Sequence, residues 1–134
     1  MKANSYAFHA LQATIPDGVL DNDHVLVWEN IYITMGEDEW TARDNLLEYF
    51  NEHGILTPSP VIVDGKNGNV QYVGIRQVVE CDSDFRWSDM SGEKAVEITY
   101  LEYRVKYATL KKLSEGRDSV VTFLEIARRS ERGR

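Results

Sequence analysis

The sequence predicts an α+β domain with a mostly antiparallel sheet of about five or six strands and one main helix. Residues 70–81 and 95–107 are rich in β-branched and aromatic residues, and an acidic, turn-rich link separates them. Residues 38–53 repeat apolar side chains at helical spacing. A chain of 134 residues with 43% hydrophobic composition can bury one core. We expect a single domain over residues 1–127 and a basic tail over 128–134.

The first two strands are predicted over residues 6–15 and 25–34. Aromatic and small apolar residues alternate in the first strand, and a turn containing Pro16 and Gly18 ends it. In the second strand, the even positions carry large rings that suit a half-hydrated face, and the odd positions suit a core. The odd positions are Val25, Val27, Glu29, Ile31 and Ile33. We expect these strands to form an antiparallel pair.

The main helix is predicted over residues 38–53, packed on one face of the sheet. Asp38 can accept hydrogen bonds from the N–H groups of the first turn. Gly54 can adopt the left-handed conformation that ends many helices. One stripe along this helix comprises Ala42, Leu46, Tyr49, Phe50 and His53.

A hairpin turn over residues 64–69 leads into the strand at 70–81, where simple alternation puts Tyr72 and Arg76 on the same face. In the strand at 95–107, the apolar positions change from even to odd near Tyr100 and Leu101. A β-bulge at that point would keep both apolar sets facing the core, because one inserted residue switches the alternation.

The C-terminal part of the chain contains two further predicted elements. Residues 108–115 fit a short helix that ends at Gly116. Residues 119–126 are rich in β-branched residues, which favours a final strand, although their apolar positions also fit a helix that begins at Asp118.

The formal net charge of −7 is unevenly distributed: residues 1–60 carry −8, residues 61–103 carry −4 and residues 104–134 carry +5. An acidic body repels nucleic-acid phosphates and attracts basic partners. We therefore expect no nucleic-acid binding through the acidic body.

A cytoplasmic protein without membrane association is the expected localisation. The single cysteine, Cys81, cannot form an internal disulfide, so nothing indicates an oxidising compartment. The first residues lack the apolar stretch of a signal peptide, and no apolar run approaches the roughly 18 residues that span a bilayer.

Enzymatic and metal-binding motifs are not evident in the sequence. The three histidines, His9, His24 and His53, belong to separate elements and show no metal-ligand spacing. Cys81 is followed by acidic residues, which oppose formation of a reactive thiolate. Neither a nucleophile elbow nor a phosphate-binding loop is present. We expect no catalytic residues, no metal and no cofactor.

The leading functional prediction is a non-enzymatic protein-binding module, such as an immunity protein or antitoxin that neutralises a basic partner. Acidic side chains would steer the partner, and an aromatic side chain would anchor it. The candidate residues are Glu37, Asp38, Glu39, Glu80, Asp82, Asp84 and Trp87.

Two alternatives stay open from the sequence. One is a small-ligand-binding or enzymatic domain with a cleft beside the bent strand at 95–107. Its candidate residues are Tyr72, Arg76, Tyr100, Glu102 and Arg104. The other alternative is a structural homodimer that pairs through an exposed strand edge.

The order of these elements resembles a family of small bacterial proteins catalogued as domain of unknown function forty-two eighty-eight. The resemblance covers roughly residues 5–107 and includes the strand that contains Glu29. Its other segments are residues 6–8, 38–50, 72–75 and 97–100. It implies an α+β fold and a bacterial or phage-related origin, and it transfers no catalytic residues.

Overall fold

A computed structural model describes residues 4–81 and 95–114. It contains five strands and two helices over these ranges. The strands are β1 (Asn4–Pro16), β2 (His24–Gly36), β3 (Ser59–Val63), β4 (Lys66–Glu80) and β5 (Ala95–Lys106). The helices are α1 (Glu39–Glu52) and α2 (Tyr107–Ser114). The strands form one sheet in the order β3-β4-β1-β2-β5, and each neighbouring pair is antiparallel. The predicted antiparallel α+β architecture is confirmed.

The two helices lie on opposite faces of the sheet. Side chains alternate along β1, so Phe8 and Ala10 face one side while Leu11 and Ala13 face the other. The first pair packs with α1 and the second with α2, which defines an α1 face and an α2 face. The prediction of one main helix on one face therefore accounts for α1 but not for the packing of α2 on the other face.

Helix α1 has the predicted boundaries to within one residue. The Asp38 carboxylate accepts a hydrogen bond from the backbone N–H of Thr41 at 2.8 Å, and this bonding holds the pKa of Asp38 below its usual range. Gly54 has φ 71°, the left-handed conformation that stops the helix. The ring of Phe50 is fully buried, with its centroid 4.9 Å from that of Tyr32 and 5.5 Å from that of Tyr72.

Helix α2 covers the other face at the opposite end of the sheet. Leu110 and Leu113 are buried with Val105 and Tyr103 in one apolar cluster. Neither of the two helices in the described ranges is long and apolar enough to cross a bilayer.

The predicted bulge in β5 is misplaced. The β2–β5 ladder is regular through Tyr100 and Leu101, and its register shifts instead between Thr99 and Glu97, where Ile98 has no Cα partner. The side chains of Ile98 and Tyr100 are 50% and 59% exposed, so the bulge does not turn them into a core. The position of the bulge depends on how β5 pairs with β2, and the hydrophobic pattern of β5 alone does not determine that pairing.

Strand β4 carries two register shifts that its hydrophobic pattern does not predict. They leave Val73 and Arg76 without Cα partners in β1. Gly74, between them, has φ 149°, a value that residues with a side chain rarely adopt. Each extra residue reverses the alternation, so Ile75 packs with Tyr72 on the α1 face.

Several predictions fall outside the described ranges. These are the partner-binding candidates Asp82, Asp84 and Trp87, the strand predicted over 119–126 and the basic tail over 128–134.

Candidate functional site

The most unusual buried side chain is that of Glu29, in the middle of β2. Glu29 is 0% exposed. Its neighbours on the same face of the strand, Val27 and Ile31, are apolar, so it is a charged residue among hydrophobic ones. An ionised carboxylate is costly to bury unless other groups donate hydrogen bonds to it. The hydrogen-bond donors around the carboxylate therefore determine whether Glu29 can be ionised.

Three side chains donate four hydrogen bonds to the carboxylate of Glu29. The Oε1 atom accepts from Arg76 Nε at 2.7 Å and from the Tyr103 hydroxyl at 2.8 Å. The Oε2 atom accepts from Arg76 Nη2 at 2.5 Å and contacts His9 Nδ1 at 2.7 Å. The guanidinium is thus bidentate, the strongest geometry for this pair. We refer to His9, Glu29, Arg76 and Tyr103 as the Glu29 network.

Each member of the Glu29 network comes from a different strand. His9 lies on β1, Glu29 on β2, Arg76 on β4 and Tyr103 on β5. The register shift at Val73 reverses the alternation after Tyr72, so Arg76 lies on the α2 face with the other three side chains. The network consequently joins four of the five strands in the described ranges.

The network shifts the pKa values of Glu29, Arg76 and Tyr103. Burial by itself would raise the pKa of Glu29, but hydrogen bonds from His9, Arg76 and Tyr103 outweigh it and lower this pKa from 4.5 to about 2. Burial and the adjacent carboxylate raise the pKa of Tyr103, and the hydrogen bond to Glu29 raises that of Arg76. Glu29 is therefore ionised near neutral pH and accepts protons only weakly.

The residues predicted to line a cleft do not share one surface. Tyr72, Glu102 and Arg104 lie on the α1 face with Tyr100, whereas Arg76 belongs to the α2 face. On the α1 face, Trp28 Nε1 donates to Glu102 Oε1 at 3.1 Å. The grouping of Arg76 with Tyr72 was wrong because it assumed regular alternation through β4.

A cavity does occur among the described residues, but beside α2 rather than along β5. Its volume is about 190 Å³, below the range of most ligand pockets. The residues that line it are Ile15, Gln71, Tyr72, Val73, Tyr107, Leu110 and Lys111. Tyr72 alone of the five cleft candidates contributes to it.

The described partner-binding candidates gather at one end of the sheet. Glu37, Asp38 and Glu39 lie where β2 leads into α1, and Glu80 ends β4. The start of β1 lies between these two segments, because Tyr6 is the register partner of both Thr34 and Glu80. Four negative charges distant in sequence thus share this end of the sheet.

The exposure of Trp40, in the first turn of α1, was not predicted from the sequence. Its side chain is 68% exposed. The available signal was its position: Trp40 precedes the buried Ala42 by two residues, so it falls outside the apolar stripe of the helix.

Metal binding finds no support in the described ranges, where no group of three or more His, Cys, Asp or Glu side chains converges. No family model matches the chain, and no curated protein or solved structure matches it either. The resemblance described above therefore stays a prediction.

Proposed function

We propose that this chain is a non-enzymatic protein-binding module that holds a basic protein partner against the outer surface of α1. The observation that carries the proposal is Trp40, whose side chain is 68% exposed. Tryptophan supplies a large contact area and is enriched among the residues that dominate binding energy. An exposed indole on a regular helix is suited to anchoring a partner.

The charge around Trp40 indicates the kind of partner. Positions 40, 44, 48 and 52 are four residues apart and lie on one side of the helix. We define the α1 acidic surface as Glu37, Trp40, Asp44, Glu48 and Glu52, all of which are exposed. Negative charge of this kind attracts basic surfaces over distance and speeds association.

Arg43 holds the indole in place. Its guanidinium carbon lies 5.3 Å from the ring centroid of Trp40 and 5.8 Å from that of Phe8, and it pairs with Glu39 at 3.5 Å. Cation–π contacts of this kind orient an aromatic ring. A ring that is already oriented loses less conformational entropy when a partner binds.

The ionised, fully bonded state of Glu29 further supports a binding role over an acid–base one. A small acidic module that captures a basic protein corresponds to an immunity protein or antitoxin that blocks a nuclease-type toxin. The proposal includes membership of the bacterial family of unknown function that the sequence resembles.

The test begins with capture of basic proteins from a lysate of the source organism, with elution by increasing salt. A captured protein is then purified, and its affinity is measured by calorimetry. We expect Trp40→Ala to weaken binding about tenfold or more. We expect Glu37→Lys with Asp44→Lys to weaken it further and to reduce its salt dependence.

Two control variants separate this surface from general effects. Ile62→Ala removes a side chain that is 72% exposed on β3, and Asp17→Lys reverses an exposed charge in the loop after β1. Both should bind as the wild type does. Circular dichroism checks that every variant is folded. Unchanged affinity in Trp40→Ala, or capture of no basic protein at all, would refute the proposal.

A further inference from the structure

The two edge strands of the sheet differ in length and composition. In the order β3-β4-β1-β2-β5, the strands β3 and β5 stand at the ends, so each has one neighbouring strand in the described ranges. Strand β3 has five residues and contains Pro60, which has no N–H group to donate to another strand. Strand β5 has twelve residues and contains no proline. A long edge strand without proline is a template for pairing with a further strand.

Large apolar side chains are exposed in the middle of β5. Ile98 is 50% exposed and Tyr100 is 59% exposed, and Thr99 between them is exposed as well. Edge strands that stay unpaired are usually protected by charged residues or proline. Residues 98–101 contain neither. Another strand can therefore cover this stretch without burying a charge.

Two opposite charges are placed symmetrically about Leu101. Positions along β5 can be counted by their register partners in β2, where Leu101 pairs with position 29. Arg104 pairs with position 26, three positions away in one direction. Glu97 pairs with position 32, three positions away in the other direction, because Ile98 has no partner. Neither charged side chain belongs to an ion pair within the described ranges.

This symmetry makes β5 complementary to itself. In an antiparallel pair of identical strands about a two-fold axis, residues equally distant from the axis lie opposite each other and on the same face. With the axis at Leu101, Glu97 of each copy lies opposite the second copy's Arg104. Tyr100 lies opposite the second copy's Glu102, and a tyrosine hydroxyl can donate to a carboxylate. Opposite charges directly across a ladder are favourable.

The neighbouring registers lack this complementarity. An axis at Tyr100 would place Glu102 opposite Glu97, and an axis at Glu102 would place that carboxylate opposite its own copy. Like charges directly opposite each other are destabilising. An axis at Tyr103 would leave residues 95–99 outside the ladder. Exposed ion pairs contribute little to affinity, so the charges of β5 mainly select the register centred on Leu101.

We propose that β5 is a dimerisation edge, at which a second copy of this chain pairs antiparallel about a two-fold axis at Leu101. The five described strands of each copy then form one continuous sheet. Main-chain hydrogen bonds along the edge supply the affinity, and the exposed side chains of Ile98 and Tyr100 are covered. Both copies use the same edge, so the assembly closes at two chains.

The dimerisation edge is separate from the proposed partner surface. The α1 acidic surface, with Trp40, lies on the exposed side of α1, whereas the dimer forms through the outer edge of β5. Trp40→Ala should therefore leave dimerisation unchanged. Failure of one proposal leaves the other standing.

The test is analytical ultracentrifugation of the full chain from low to high micromolar concentration. We expect the sedimentation coefficient to rise with concentration from that of a monomer to that of a dimer, and no further. A chain that stays monomeric over this range, or that continues to larger assemblies, overturns the proposal.

Two substitutions to glutamate compare the two edges of the sheet. Tyr100→Glu places two carboxylates opposite each other, and the two-fold axis repeats this contact. It should weaken dimerisation about tenfold. Ile62→Glu, at a position that is 72% exposed on β3, is the matched control and should dimerise as the wild type does. Wild-type dimerisation in Tyr100→Glu would overturn the proposal.

A charge exchange tests the register and does not depend on the Tyr100 variant. Arg104→Glu places a carboxylate opposite Glu97 and should also weaken dimerisation about tenfold. Adding Glu97→Arg restores opposite charges and should recover wild-type affinity. Circular dichroism checks that every variant is folded. A double variant that dimerises no better than Arg104→Glu alone would contradict the register centred on Leu101.

Discussion

Replacing Glu29 by glutamine should lower the free energy of unfolding by about 3–5 kcal/mol, the range observed when one partner of a buried ion pair is removed. The carboxamide has the shape of the carboxylate but no charge. Its NH₂ group would face N–H donors of Arg76 or His9, so at least one buried donor would lose its acceptor. Arg76 would also keep its charge without a counterion.

Urea denaturation at neutral pH measures this loss. Glu97→Gln is the matched control, because Glu97 is an exposed carboxylate on β5 and should change stability by less than about 0.5 kcal/mol. The double variant Glu29→Gln with Arg76→Gln should lose less than the sum of the two single variants, because the two side chains interact directly. Additive losses would show that the Glu29–Arg76 pair contributes little.

The wild-type protein should lose about 3 kcal/mol of stability between pH 4.5 and pH 2 through Glu29 alone. The pKa of this carboxyl group is lowered from 4.5 to about 2 in the folded protein, and each unit corresponds to about 1.4 kcal/mol. A lowered pKa means that the unfolded chain binds the proton first as the pH falls. The stabilisation is therefore complete above pH 4.5 and disappears as the pH falls through 2.

Other carboxylates also titrate in this range, so the comparison must be made with Glu29→Gln. The stability difference between wild type and variant should be constant above about pH 5 and should shrink towards zero as the pH approaches 2. A difference that does not change with pH would mean that Glu29 is not ionised in the folded protein.

The positions of the strands and helices were largely predictable, whereas the faces of β4 and β5 were not. Asp38 and Gly54 bracket α1 because capping depends on local residues. The predicted faces of Arg76 and Ile98 were wrong, because both residues lie at register shifts and have no Cα partner in the neighbouring strand. A bulge is set by pairing with another strand, and one extra residue reverses every later side chain.

The Glu29 network lay beyond what the sequence could predict. Glu29 was correctly placed on the core-facing side of β2, but His9, Arg76 and Tyr103 are 20, 47 and 74 residues away from it. Their meeting depends on the order of strands in the sheet, and a single sequence carries no direct signal of that order. The exposure of Trp40 was predictable in principle from its position on the helix.

The four-strand origin of the Glu29 network also has a kinetic consequence. Arg76 and Tyr103 arrive from β4 and β5, which pair with opposite sides of the β1–β2 pair. The four hydrogen bonds can be complete only after both of these distant strands have docked. Interactions that form late in folding mainly slow unfolding and have little effect on the folding rate. The hydrogen bonds of Glu29 should therefore mainly lower the unfolding rate, which lengthens the lifetime of the folded chain.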